Sequence, residues 1–131
     1  MIIKESAENY LETIYVLSKR IGAVRSIDVA NEMNFSKPSV SVKMKQFREN
    51  GYINMDKDGI ISLTDKGMEI ATHVYERHEI IAHVLMILGV SEETAYEDSC
   101  KIEHDLSDES FEKIKEFYYK NKKRWSLGVF A

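Results

Sequence analysis

The chain has 131 residues, 44% of them hydrophobic, and a formal net charge of −4. That length makes one ordinary domain or two small lobes, and a single proline with six glycines argues against a long linker or a disordered tail. The acidic balance argues against a nucleic-acid binder unless the charge is unevenly spread. No apolar run approaches the ~20 residues needed to span a bilayer, and the lone cysteine, Cys100, excludes an internal disulfide and fits a reducing cytoplasm.

The spread of charge is uneven. Residues 1–63 hold nine basic and eight acidic side chains, and residues 64–131 hold nine and fourteen. Between Met33 and Arg48 there are four basic residues (Lys37, Lys43, Lys45, Arg48) and no acidic one. The front half therefore has a local positive surface and the back half carries the carboxylates. The N-terminus carries charge too early for a signal peptide.

Ser6 is expected to cap a first helix that runs to about Lys19. Tyr10, Leu11, Ile14, Tyr15 and Leu17 face its core side, and Asn9 and Glu12 project from a neighbouring edge. Ser26 is the next expected cap, ahead of Ile27, Val29, Ala30 and Met33 in a two-turn helix. After Asn34-Phe35, Ser36 caps a third helix with Pro38 in its first turn. Val40, Val42, Met44 and Phe47 supply its apolar positions, and Asn50-Gly51 ends it.

A short helix, a tight turn and a second helix with a serine-rich start form a helix-turn-helix pattern. Small hydroxyl residues let a helix approach base edges, and lysines meet phosphates. An amphipathic helix with a solvated lysine face reads the same way in sequence. Two short strand-like runs follow, Tyr52–Met55 and Ile60–Leu63, around the turn Asp56-Lys57-Asp58-Gly59. A hairpin in that place is a wing, with Lys57 at its tip. The DNA-contact candidates are Arg25, Ser26, Ser36, Lys37, Pro38, Ser39, Ser41, Val42, Lys43 and Lys57.

Thr64 opens a long helix whose core face is expected to hold Met68, Ala71, Val74, Tyr75, Ile81, Val84, Leu85 and Leu88, with His78 upon it and Gly89 at its end. Ser91 caps a fifth helix and Ser107 a sixth. The sixth sets Phe111, Ile114, Phe117 and Tyr118 on one face. A basic then apolar tail follows Asn121, with Trp125, Leu127, Val129 and Phe130 expected to dock on this chain or a partner. His73, His83 and Asp98 are read as surface polar groups.

On the fifth helix Cys100, Glu103 and His104 fall within a ~100° arc. A thiol, a carboxylate and an imidazole at that spacing suit a divalent transition metal. They equally suit a half-buried cysteine beside a solvated Glu-His edge.

Read together, Tyr10–Tyr15, Ser36–Ser41, Leu63-Thr64-Asp65-Lys66-Gly67, Arg77-His78-Glu79, Leu88-Gly89-Val90 and Cys100-Lys101-Ile102-Glu103-His104 resemble the diphtheria-toxin-repressor family of metal-dependent transcriptional regulators. The chain is similar to its short form, without an SH3-like domain. The resemblance implies a mainly α protein, with a winged helix-turn-helix DNA-binding domain over residues 1–63 and an all-helical metal-binding and dimerisation domain over 64–131. It implies a cytoplasmic homodimer on a palindromic double-stranded DNA operator, acting as a repressor of metal-uptake genes, with no membrane or small-molecule substrate. It implies a divalent metal, Fe²⁺ or Mn²⁺, held by Asn9, Glu12, His78, Cys100, Glu103 and His104. Cys100 resembles the iron branch, and its soft thiolate leans toward Fe²⁺. Glu12 and His78 resemble the manganese branch, and Asn9 stands where that branch has Asp. Ala82 and Tyr96 stand where some iron sensors carry ancillary ligands, which argues against an iron-type second site. The competing readings are a metal-independent winged-helix regulator and an enzyme with Cys100 as nucleophile.

Overall fold

In the computed structural model the backbone is described for residues 5–128 and the side chains for 6–121. Trp125, Leu127, Val129 and Phe130 therefore lie outside the described side chains. The order is α1 (Glu5–Ile21), α2 (Ser26–Met33), α3 (Lys37–Glu49), β1 (Ile53–Met55), β2 (Ile61–Leu63), α4 (Asp65–Ile87), α5 (Glu92–Asp105) and α6 (Asp108–Gly128). The chain divides into two compact units, residues 1–74 and 75–131, and the division falls inside α4. No described helix is long and apolar enough to cross a membrane.

The first unit is built on one apolar core. Tyr10, Leu11, Ile14 and Leu17 of α1, Val29 and Ala30 of α2, and Val40, Met44 and Phe47 of α3 are all buried there. The α3 set recurs at i, i+4 and i+7, which is one stripe of a helix. Phe47 sits between two other rings, 5.9 Å from Tyr10 and 6.4 Å from Tyr52, both edge-on, a favoured aromatic geometry. Val42 is the exception to the expected stripe. It is 58% exposed, because it lies 200° around the helix from Val40.

Helix starts follow local chemistry. Ser36 Oγ accepts from the Ser39 amide at 3.3 Å, with Pro38 in the first turn. Ser26 does not cap α2. It is the first helical residue, and the cap is Arg25, whose amide donates to the Asp28 carboxylate at 2.9 Å. Ser6 likewise lies inside α1 instead of ahead of it.

The wing is a two-stranded antiparallel sheet with Ile53 opposite Leu63 and Met55 opposite Ile61. Asp56 organises its turn, accepting from the amides of Asp58 and Ile60 at 2.9 Å each. Val24 adds a bridge to Ile61, and Arg25 Nε donates to the Asp58 carbonyl at 3.3 Å. The wing is thus tied to the approach to α2 by backbone and by guanidinium.

At the start of α4, Thr64 Oγ1 accepts from the Gly67 amide and donates to the Gly51 carbonyl at 2.7 Å. Gly67 packs so closely that a Cβ there would collide with the Tyr52 carbonyl. That contact explains glycine in Leu63-Thr64-Asp65-Lys66-Gly67.

In the second unit Ile80 and Ile81 of α4 and Phe111 and Tyr118 of α6 form a smaller core. Ser91 caps α5 by accepting from the Thr94 amide, and Ser107 accepts from Ser110 at 3.1 Å. Three residues expected on the core faces of α4 and α6 are outside, the first of them, Met68, in the first unit. Met68 and Phe117 are exposed and Leu88, beyond the last turn of α4, is 75% exposed. His83, expected on the surface, is half-buried and shares a 2.8 Å hydrogen bond with the Tyr118 hydroxyl.

Candidate nucleic-acid interface and metal centre

The buried stripe of α3 turns its opposite face outward. Ser36, Lys37, Pro38, Ser39, Ser41 and Val42 are exposed, and Lys43 is half-buried. Small hydroxyls and one aliphatic side chain on an outward helix can contact base edges and thymine methyls, and lysines on long stems can reach phosphates. Arg25 is exposed at the start of α2 and Ser26 is half-buried beside it. Ser26, Ser41, Lys45 and Arg48 share a shallow hollow with Met44 and Met55. Arg48 was not among the expected contacts. Its only sequence signal was its place at the end of the acid-free run from Met33. Lys57 is exposed on the wing turn between Asp56 and Asp58, so the tip as a whole is acidic.

The metal candidates fall in both units. Asn9 and Glu12 are half-buried on α1 in the first, and the Asn9 carbonyl accepts from Thr13 Oγ1 at 2.7 Å. His78, Cys100, Glu103 and His104 belong to the second. There α5 is one continuous helix from Glu92 to Asp105, so the expected arc of Cys100, Glu103 and His104 is real. Ala95, Ser99 and Glu103 are its buried positions, four apart, which places a carboxylate on the inward stripe.

Glu103 is the unusual member. Its side chain is 2% exposed, that of His104 is 4% exposed, and Oε1 stands 3.0 Å from the imidazole Nε2. Removing a carboxylate from water costs several kcal/mol unless a cation or a set of donors compensates. The pair is therefore a carboxylate and an imidazole held in direct contact away from water. Carboxylate, imidazole and thiolate together are a donor set that a divalent transition metal accepts.

The convergence is incomplete. Among the described residues no three His, Cys, Asp or Glu side chains form a ready cation cage. Glu103 and His104 reach each other, whereas the shorter Cys100 side chain, half-buried, sits one turn behind His104. On α4, His78 Nε2 lies 3.1 Å from the Tyr96 carbonyl of α5. A proton on Nε2 donated to that carbonyl leaves the lone pair on Nδ1, the usual way a backbone acceptor sets the tautomer of a ligating histidine. Tyr96 itself donates its hydroxyl to Glu79 Oε2 at 2.7 Å. Burial first, and then that carboxylate, hold its phenol well above the ordinary tyrosine range, so Tyr96 serves as a proton donor to Glu79.

Comparison with known proteins places both parts of the chain in one family. The family described as iron dependent repressor, N-terminal DNA binding domain matches residues 3–60. Its companion, iron dependent repressor, metal binding and dimerisation domain, matches residues 64–124. An HTH-type transcriptional regulator of Methanocaldococcus jannaschii is 36% identical over 122 residues, covering 92% of this chain and 98% of that protein. The transcriptional regulator MntR of Escherichia coli is 32% identical over 118 residues, covering 90% of this chain and 76% of that one. Among solved structures, the manganese regulator SloR superposes with a TM-score of 0.73 at 30% identity, over 91% of this chain and 55% of that chain. These relatives are transcriptional regulators, which sets aside the nucleophile reading of Cys100. A winged helix with a polar outward helix, a second unit with a buried Glu-His pair, and two matching domains lead to one conclusion: the chain belongs to the iron-dependent (diphtheria-toxin) repressor family of metal-dependent, DNA-binding transcriptional regulators.

Proposed function

We propose that this chain is a homodimeric repressor of metal-uptake genes that binds a palindromic operator when loaded with Fe²⁺ or Mn²⁺. The observation that carries the metal half of this reading is the buried Glu103–His104 pair, 3.0 Å apart on α5. Cys100 and His78 are the proposed further donors of the second unit. Asn9 and Glu12 are proposed donors on the family resemblance. Bound by these side chains, a divalent cation supplies positive charge that offsets the Glu103 carboxylate and lowers the Cys100 thiol to thiolate. The thiolate is a soft ligand and favours Fe²⁺ over Mn²⁺; the manganese regulator SloR at 30% identity supports Mn²⁺.

The DNA half of the reading rests on α3. Ser39, Ser41 and Val42 face outward for base edges, and Lys37 and Lys43 serve phosphates. Arg25 and Ser26 flank them, and Lys57 contacts the backbone from the wing. Half-sites on a palindrome have fixed spacing, so one arrangement of two recognition helices fits both. Donor side chains that grip the cation a hundredfold better in that arrangement favour it by about 2.7 kcal/mol per site. By linkage, operator DNA then tightens metal binding by the same factor.

Anaerobic metal analysis of the purified chain, beside operator binding across a series of divalent metals, tests this reading. Stoichiometric Fe²⁺ or Mn²⁺ with metal-stimulated DNA binding is expected. DNA binding indifferent to every metal would overturn it.

A further inference from the structure

Arg77 is one of three buried polar or charged residues among those described, with Ser99 and Glu103. Both terminal nitrogens of its guanidinium are engaged. Nη2 donates to the Glu103 carbonyl at 2.7 Å and to the Leu106 carbonyl at 2.9 Å. Nη1 donates to Asp108 Oδ1 at 3.1 Å, and the group lies 4.6 Å over the Phe111 ring. Leu106 is the C-cap of α5, and its own amide returns to Ile102. Glu103 is in the last turn, where helix carbonyls have no intrahelical donor and the helix end is electronegative. Both carbonyls are met by the two hydrogens of Nη2 while Nη1 turns to Asp108, and the rigid guanidinium plane fixes those directions where a freely rotating ammonium does not.

The position of this guanidinium matters as much as its bonds. Arg77 directly precedes His78 on α4, and it holds the backbone of Glu103 itself. Two of the proposed metal donors are thus a peptide unit or one hydrogen bond away from the same guanidinium. The third arm, to Asp108, ends on a side chain that is 93% exposed and adds little.

We propose that Arg77 is a positioning residue for metal binding: the two bonds of its Nη2 to the Glu103 and Leu106 carbonyls preset the last turn of α5 against α4, and so fix the backbone positions from which His78 and Glu103 are offered to a cation. This inference rests on the reading of Glu103 and His78 as metal donors. Partners that orient ligands typically contribute tenfold to a hundredfold in metal affinity, and the same range is expected here without any contact between Arg77 and the ion.

The test is Mn²⁺ titration of the full chain, followed by the electron paramagnetic resonance signal of unbound Mn²⁺, well below the melting temperature. Arg77→Met, checked by circular dichroism, is expected to weaken Mn²⁺ binding by roughly tenfold or more. Arg77→Lys, which keeps the charge but not the fixed guanidinium plane, restores part of the loss. A folded Arg77→Met with wild-type affinity overturns the proposal, as does a merely structural outcome in which the apo melting temperature falls and the affinity does not. If Arg77→Met does not fold, Arg77→Lys decides alone, since it keeps the charge and loses the fixed plane. Wild-type affinity there overturns the proposal equally. Glu103→Gln separates the two readings. Loss of binding in Glu103→Gln with retention in the Arg77 variants removes only the clamp, whereas retention in Glu103→Gln removes the donor assignment on which the clamp depends.

Discussion

The two units handle polar groups in opposite ways. In residues 1–74 the core is apolar throughout, from Ala7 to Ala71, and every proposed DNA contact lies outside it. In residues 75–131 the apolar core is small, and all three buried polar or charged residues among those described, Arg77, Ser99 and Glu103, are there. The difference follows from the ligand each would meet. DNA is larger than the domain and must be met on an outer face, where side chains stay hydrated until binding. A metal ion is smaller than a side chain and is held best where water has already been removed. In the first unit stability and the proposed DNA contacts therefore rest on different side chains, whereas in the second the proposed donor Glu103 is itself one of the buried groups.

That contrast can be broken most decisively from the first unit. Phe47 is fully buried between Tyr10 and Tyr52. Phe47→Ala is expected to destabilise by about 3–5 kcal/mol, read by urea unfolding, and to remove DNA binding in the presence or absence of metal. A loss under 1 kcal/mol would show that the core can collapse around the gap. In the second unit the expected effect is narrower. His104→Ala keeps the fold by circular dichroism and lowers metal-stimulated operator binding at least about a hundredfold, or about 2.7 kcal/mol. Full metal response in gel-shift titrations would contradict the donor assignment. Lys43→Ala tests the outer face alone. Binding to all sequences weakens, and the salt slope falls by about one. An unchanged slope removes Lys43 from the phosphate contacts. The smallest effect is expected from Asn9→Asp, which replaces a neutral amide by a carboxylate and shifts the DNA-binding response toward Mn²⁺ relative to Fe²⁺. Unaltered metal preference would take Asn9 out of the donor set.

Much of the first unit was legible because its signals are local. Ser36 with Pro38, the Asp56–Gly59 turn, and the Val40, Met44 and Phe47 stripe each declare themselves within one or two turns of chain. The errors there were of one or two residues, as at Ser26 and Ser6, or of periodicity, as at Val42, whose apolar side chain says nothing about which way it faces. Leu88 and Phe117 failed for a similar reason. A helical stripe predicts an inward face only where another element covers it.

The angular positions of Cys100, Glu103 and His104 on α5 could be read from spacing, since 3.6 residues per turn sets where they lie around a helix whatever it packs against, and their reading as donors came from the family resemblance. Burial of that helix could not be named in the same way. Only the packing of α4, α5 and α6 within the second unit puts the Glu103 carboxylate out of water beside His104, and only there does Arg77 acquire the carbonyls of Glu103 and Leu106. Helix starts, turns and angular positions depend on neighbours in sequence, so the amino-acid order determines them alone. Desolvation and the meeting of charges depend on residues 26 and 29 positions away in the chain, and those are decided when the helices come together.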